Sequence, residues 1–82
     1  MKNKRLEREI KAWGRKNKIK ARGAVSAFAQ KVGYQSYRSL HNVINGNRPA
    51  SAEKQHVIAQ ELESTVDFLF GHLYSRRIAK GG

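Results

Sequence analysis

The stretch Ala24-Val25-Ser26-Ala27-Phe28-Ala29-Gln30-Lys31-Val32-Gly33-Tyr34-Gln35-Ser36-Tyr37-Arg38-Ser39-Leu40-His41-Asn42-Val43-Ile44-Asn45-Gly46 decides the fold. Within it Val25, Phe28, Ala29 and Val32 fall at i, i+3, i+4 and i+7, the period at which apolar side chains line one face of an α-helix. This spacing predicts a helix over residues 24–32. Gly33 stops it, because glycine tolerates the left-handed conformation that closes a helix C-terminus. Ser36 then stands where a hydroxyl can accept from the free N–H groups of a new helix. Leu40, Val43 and Ile44 give that second helix, over 36–45, its buried face, and Asn45-Gly46 is a helix-stop pair.

The same period continues outward on both sides. Leu6, Ile10 and Trp13 form one apolar stripe of an amphipathic helix from roughly Lys4 to Lys18, with Lys4, Lys11, Arg15 and Lys18 on the opposite side. Residues 19–23 read as the connection to the next helix, with Gly23 at the boundary. Downstream, Asn47-Arg48-Pro49 is a loop and Ser51 an N-cap. A helix over Ala52–Glu63 turns Ile58, Ala59 and Leu62 inward. Ser64 or Thr65 restarts the chain, and Val66, Leu69 and Phe70 supply a short fifth helix closed by Gly71. Leu73, Tyr74 and Ile78 follow among basic residues, as a further helical turn or two or as a frayed end. No stretch alternates apolar and polar residues as a half-buried strand would. The expectation is a compact all-α, five-helix domain over residues 6–71, a basic N-terminal arm over 1–5 and a basic C-terminal tail over 72–82.

Charge narrows the function. Seventeen Lys and Arg against six Asp and Glu leave +11 on 82 residues. Residues 1–22 carry +8 and residues 23–50 carry +3, whereas residues 51–71 carry −3 and residues 72–82 carry +3. A basic front and an acidic back orient a molecule toward a polyanion. Without cysteine there is neither a disulfide nor a thiolate metal site. No apolar run approaches the roughly 20 residues of a spanning helix, and none follows the basic N-terminus as in a secretory signal. A protein of a reducing compartment with an anionic partner is therefore expected, nucleic acid being the default candidate and an anionic membrane surface the rival.

Catalytic patterns are missing as well. There is no phosphate loop, nucleophile elbow or dinucleotide fingerprint. His41, His56 and His72 are too far apart for a helical metal pair, and Ser39 and His41, two apart on a helix, point in different directions. No enzyme, cofactor or metal is expected. Trp13 reads as a core anchor. Phe28, Phe68 and Phe70 are too scattered to make the aromatic surface on which RNA modules stack bases.

The helices at 24–32 and 36–45, with their glycine turn, form a helix-turn-helix pattern. The first packs across the second and fixes its angle. The second is narrow enough for a DNA major groove about 12 Å wide, with its N-terminal half presenting polar side chains to base edges.

Four segments, in this order and spacing, resemble the λ-repressor-like family of Cro/CI phage regulators. They are Val25-Ser-Ala-Phe-Ala-Gln-Lys-Val-Gly-Tyr34, Ser36-Tyr-Arg-Ser-Leu-His-Asn-Val-Ile-Asn-Gly-Asn-Arg-Pro49, Val57-Ile-Ala-Gln-Glu-Leu62 and Thr65-Val-Asp-Phe-Leu-Phe-Gly71. Ala29 and Gly33 four apart, the terminal Asn45-Gly46 and the closing Leu69-Phe70-Gly71 are shared features, and the match covers about residues 6–71. Two departures stand out. The turn after Gly33 is one residue longer than the family pattern, and Val25 stands where family members often carry a Gln that braces a phosphate.

The resemblance implies a five-helix fold and a sequence-specific regulator of double-stranded DNA, simplest as a repressor that covers a promoter. The family's recognition positions fall on Tyr37, Arg38, Ser39, His41 and Asn42, and its core positions on Leu40 and Val43. Arg38 can donate two hydrogen bonds to guanine and Asn42 can pair with adenine; Ser39 and His41 suit a base edge or a phosphate, and Tyr37 a thymine methyl or a phosphate. Asn45, Asn47 and Arg48 fall beside the DNA backbone, where contacts position but do not specify. Lys2, Asn3, Lys4 and Arg5 resemble the flexible basic arm of some family members, with Lys2, Lys4 and Arg5 as its phosphate contacts. One such domain reads too few base pairs to mark a site, so a homodimer on a palindromic operator is expected, with Leu73, Tyr74 and Ile78 as the apolar candidates for its interface. Two other readings remain: an antitoxin of the same fold that masks a toxin and binds its own operator, and a membrane-surface peptide acting through the first amphipathic helix.

Overall fold

A computed structural model of the chain describes residues 2–71, in which α1 spans Lys4–Lys16, α2 Ala21–Lys31, α3 Tyr37–Ile44 and α4 Ala52–Glu61. A short π-helical turn, α5, follows at Asp67–Gly71. The described residues hold five helices and no strand, as the periodicity predicts.

The first four helices end alike. Past each last turn one residue takes positive φ, and the next N–H reaches back to a carbonyl inside the helix. In α2, Tyr34 N–H donates to the Ala29 carbonyl at 2.9 Å and Gly33 N–H to that of Gln30 at 3.2 Å, with Gly33 at φ +90°. In α3, Asn47 N–H donates to Asn42 at 2.9 Å and Gly46 N–H to Val43 at 3.2 Å, with Gly46 at φ +79°. These paired bonds form the Schellman arrangement, which satisfies carbonyls that the helix leaves free. The same bonds close α1 around Lys18 at φ 60° and α4 around Glu63 at φ 54°. Neither is a glycine, so the expected ends at Lys18 and Glu63 overran the helices to the turning residue itself.

Two expected boundaries are corrected. Residues 19–23 are not the connection: Ile19 N–H caps the Gly14 carbonyl at 2.7 Å, so the chain reverses at once and α2 starts at Ala21. Gly23 lies inside α2, where a Cβ would touch only Ile19 at 3.9 Å. Ser36 does precede α3, but its hydroxyl makes no cap bond. Its carbonyl accepts from Ser39 N–H at 3.3 Å instead. Ser51 caps α4 as expected, accepting from Lys54 N–H at 3.2 Å.

Leu6, Ile10, Phe28, Leu40, Ile44, Ile58 and Leu69 are fully enclosed. Gly14, which no apolar pattern marks, lets α1 and α2 approach closely: a Cβ there would lie 2.8 Å from that of Ala24. Trp13 sets its ring edge-on to Phe28, centroids 5.0 Å apart at 80°. Its indole N–H donates to Glu61 Oε2 at 3.0 Å, so this half-buried anchor also ties α1 to the end of α4.

The expected flexible arm is corrected most clearly. Asn3 is only 1% exposed. Its Oδ1 accepts from Leu6 N–H at 3.0 Å, its Nδ2 donates to the Leu69 carbonyl at 2.8 Å, and its N–H donates to the Ile44 carbonyl at 2.6 Å. The reason is local. Ile44 ends α3, and the last carbonyls of a helix have no partner within it. Asn3 supplies a donor there and another to α5 while capping its own helix. Arg5 is fixed too, donating from Nη1 to the Phe68 carbonyl at 3.0 Å with its guanidinium 4.7 Å from the Phe68 ring centroid. Because Leu6 and Ile10 are fully enclosed, the apolar face of α1 is committed to the core. A membrane-surface role for that helix is therefore set aside. No helix among the described residues is long and apolar enough to cross a membrane.

Candidate nucleic-acid interface

Leu40, Val43 and Ile44 anchor α3 in the core, and the helical period turns its other residues outward. Tyr37, Arg38, Ser39 and His41 are exposed, Tyr37 by 52%, and Asn42 is half-buried. They divide into two groups. Tyr37 and His41 share the outer crest, where their rings meet edge-on at 6.4 Å, and Arg38 lies between them and Asn42, one turn from the latter. Ser39 and Asn42 line an open cleft of about 260 Å³ between α3 and the start of α4. Within the described residues, no hydrogen bond or ion pair holds the side chains of Arg38 or Asn42.

The loop after α3 is folded back onto the helix. The Asn42 carbonyl accepts from the N–H groups of both Asn47, at 2.9 Å, and Arg48, at 3.3 Å. This brings Arg48 to the rim of the same cleft. Asn47 is exposed and Asn45 half-buried.

Three polar residues of the cleft were absent from the expected site: Tyr34, Ser51 and Lys54. Lys54 Nζ donates to the Val32 carbonyl at 3.0 Å and lies 4.8 Å from the Tyr34 ring centroid. Burial pushes the Tyr34 hydroxyl above its ordinary pKa. One signal was available, since Lys54 is the sole cation in the otherwise acidic stretch 51–71.

The three arm residues separate. Lys2 pairs with Glu7 at 3.2 Å, and Arg5 is held by Phe68. Of the three, Lys4 alone has neither an ion pair nor a side-chain hydrogen bond among the described residues. The bond from Asn3 to Ile44 places the start of α1 beside the C-terminal end of α3, whereas Tyr37 and Arg38 begin that helix. Leu73, Tyr74 and Ile78 lie outside the described residues. No group of His, Cys, Asp or Glu among the described residues could hold a metal ion.

Comparison with protein-family models, with curated proteins and with solved structures finds no match to this chain.

Proposed function

We propose that the protein is a sequence-specific, double-stranded-DNA-binding regulator of the λ-repressor-like kind, with α2 and α3 as its helix-turn-helix. One observation carries this reading. α3 is held rigidly by its buried face and its stapled end, yet it exposes Arg38 and half-exposes Asn42 with their side-chain donors free. A helix with its side chains is about 10–12 Å across, which matches the major groove. Arg38 and Asn42, one turn apart, would read a guanine and an adenine. Tyr37 and His41 flank them, and Arg48, Asn47 and Asn45 would track the adjoining phosphates.

Ser39 and Asn42 share the cleft with Tyr34 and Lys54, so a phosphate lodged there would meet a neutral phenol and a lysine together. The protein would act by occluding a promoter, in the bacterial cytoplasm, as a homodimer joined through the segment that holds Leu73, Tyr74 and Ile78. No catalytic step and no cofactor is needed for that action.

Selection of bound duplexes from a random library, followed by titration of the enriched site against a scrambled duplex, tests the reading. The expected result is an enriched palindrome with half-sites about one helical turn apart. A pool that stays random after repeated selection refutes it.

A further inference from the structure

The cations of α1 divide by the side of the helix they occupy. Arg5 and Lys16, on one flank, are held within the fold: Arg5 by Phe68, and Lys16 by Glu63 at 3.0 Å. Lys4, Arg8, Lys11 and Arg15 are spaced four, three and four apart, which stacks them along one outer ridge. All four are exposed, and none has an ion pair among the described residues. The nearest acid, Glu7, is already paired with Lys2, and Glu9 projects from another side of the helix. The ridge runs about 16 Å along the helix axis.

This arrangement does nothing for the fold. Like charges three and four positions apart on a helix repel and destabilise it. Three such pairs lie in a row here, and no carboxylate among the described residues forms an ion pair with any of the four cations. Nor is the ridge a membrane anchor, since the apolar face that would accompany it is enclosed in the core. What remains complementary to a straight row of free cations is a regularly charged polymer, and duplex DNA carries one negative charge about every 1.7 Å along its axis.

We propose that the outer face of α1, formed by Lys4, Arg8, Lys11 and Arg15, is a second, sequence-independent surface for the phosphate backbone of duplex DNA. It shares a ligand with the α3 reading above but rests on a different helix, and it does not require α3 to enter a groove. Its contribution is electrostatic. Each phosphate neutralised adds about 0.9 to the slope of log affinity against log salt. Four contacts therefore add about 3.6, which is roughly a 150-fold steeper loss of affinity between 50 and 200 mM salt.

The test replaces all four residues with glutamine, which supports a helix nearly as well as lysine or arginine. Circular dichroism checks that the variant is folded. The full chain and the variant are titrated by fluorescence anisotropy with a scrambled 20-base-pair duplex across that salt range. A second variant, Lys4→Arg with Lys11→Arg, keeps the charge and should bind as the unaltered chain does. The expected result is a slope lower by about three to four for the glutamine variant alone. An unchanged slope overturns the proposal, as does tighter binding of the unaltered chain to an RNA duplex, or to vesicles rich in anionic lipid, than to DNA. An Arg38→Ala, Asn42→Ala chain measured alongside separates the two readings. If it loses nothing on any selected site, α3 readout fails while the ridge still stands on its own slope.

Discussion

Replacing Asn3 by alanine tests whether the N-terminus is part of the fold or an appendage. The substitution removes the side-chain cap of α1, a loss of about 0.5–2 kcal/mol. It also leaves the Leu69 carbonyl, on a fully enclosed residue, without its donor at 2.8 Å, which costs about 1–3 kcal/mol. The backbone bond to Ile44 survives in principle. The combined loss is about 1.5–5 kcal/mol, a large share of the 5–15 kcal/mol that holds an ordinary domain together. In a domain of this size each kcal/mol moves the midpoint by about 4–8 °C, so Tm should fall by about 6–40 °C. Two companions separate the terms. Asn3→Ser keeps a cap acceptor and should lose least. Asn3→Asp also keeps the cap but turns a carboxylate oxygen toward the Leu69 carbonyl, and it should be no more stable than alanine at neutral pH. Thermal and urea unfolding followed by far-UV circular dichroism give the ranking. An Asn3→Ala midpoint within about 3 °C of the unaltered chain would falsify the anchoring role.

Four further outcomes are expected. Arg38→Ala should cost about 1–3 kcal/mol on the selected duplex and relax preference at one or two base pairs, while Arg48→Ala weakens selected and scrambled duplexes alike; titrating both variants against both duplexes decides it. Gly14→Ala drives a methyl to 2.8 Å from Ala24 Cβ and should destabilise by about 1–3 kcal/mol in urea. Tyr34 keeps its proton longer folded than unfolded, so its contribution is complete below about pH 10 and declines as pH rises beyond that; Tyr34→Phe should lessen the alkaline loss of stability. Removal of residues 72–82 should leave the helical signal of the remainder intact and weaken self-association in sedimentation; an unchanged association constant rejects that segment as the interface.

The helix periods of α2 and α3 were legible because their apolar residues recur at fixed spacing and a glycine marks each end. Gly33 and Gly46 both take the positive φ that their position predicts. The ends of α1 and α4 were less legible because Lys18 and Glu63 perform the same turn with no residue type to announce it. A Schellman closure needs one residue in the left-handed region. A non-glycine residue there is strained locally and held by the paired bonds around it. Gly14 was invisible for the opposite reason. A buried glycine in mid-helix reads as a weakness in propensity until the neighbouring helix is seen to lie against it.

The charged residues set the sharper limit. A count of cations over residues 1–22 cannot tell which of them the fold engages, because the deciding partners lie far along the chain. Arg5 is engaged by Phe68, 63 positions away, and Lys16 by Glu63, 47 positions away. Helical spacing separates the flank carrying Arg5 and Lys16 from the ridge carrying Lys4, Arg8, Lys11 and Arg15, but it gives no reason to rank one above the other. The acidic stretch 51–71 supplies that reason. Folded back against α1, its Glu63 pairs with Lys16 and its Glu61 accepts from Trp13, on the side away from the ridge. The acidic back of the molecule is therefore more than a counterweight to the basic front. By engaging one flank of α1 it leaves the ridge among the unpaired cations of the described residues, and α3, where no acidic residue lies between positions 23 and 50, adds further free donors.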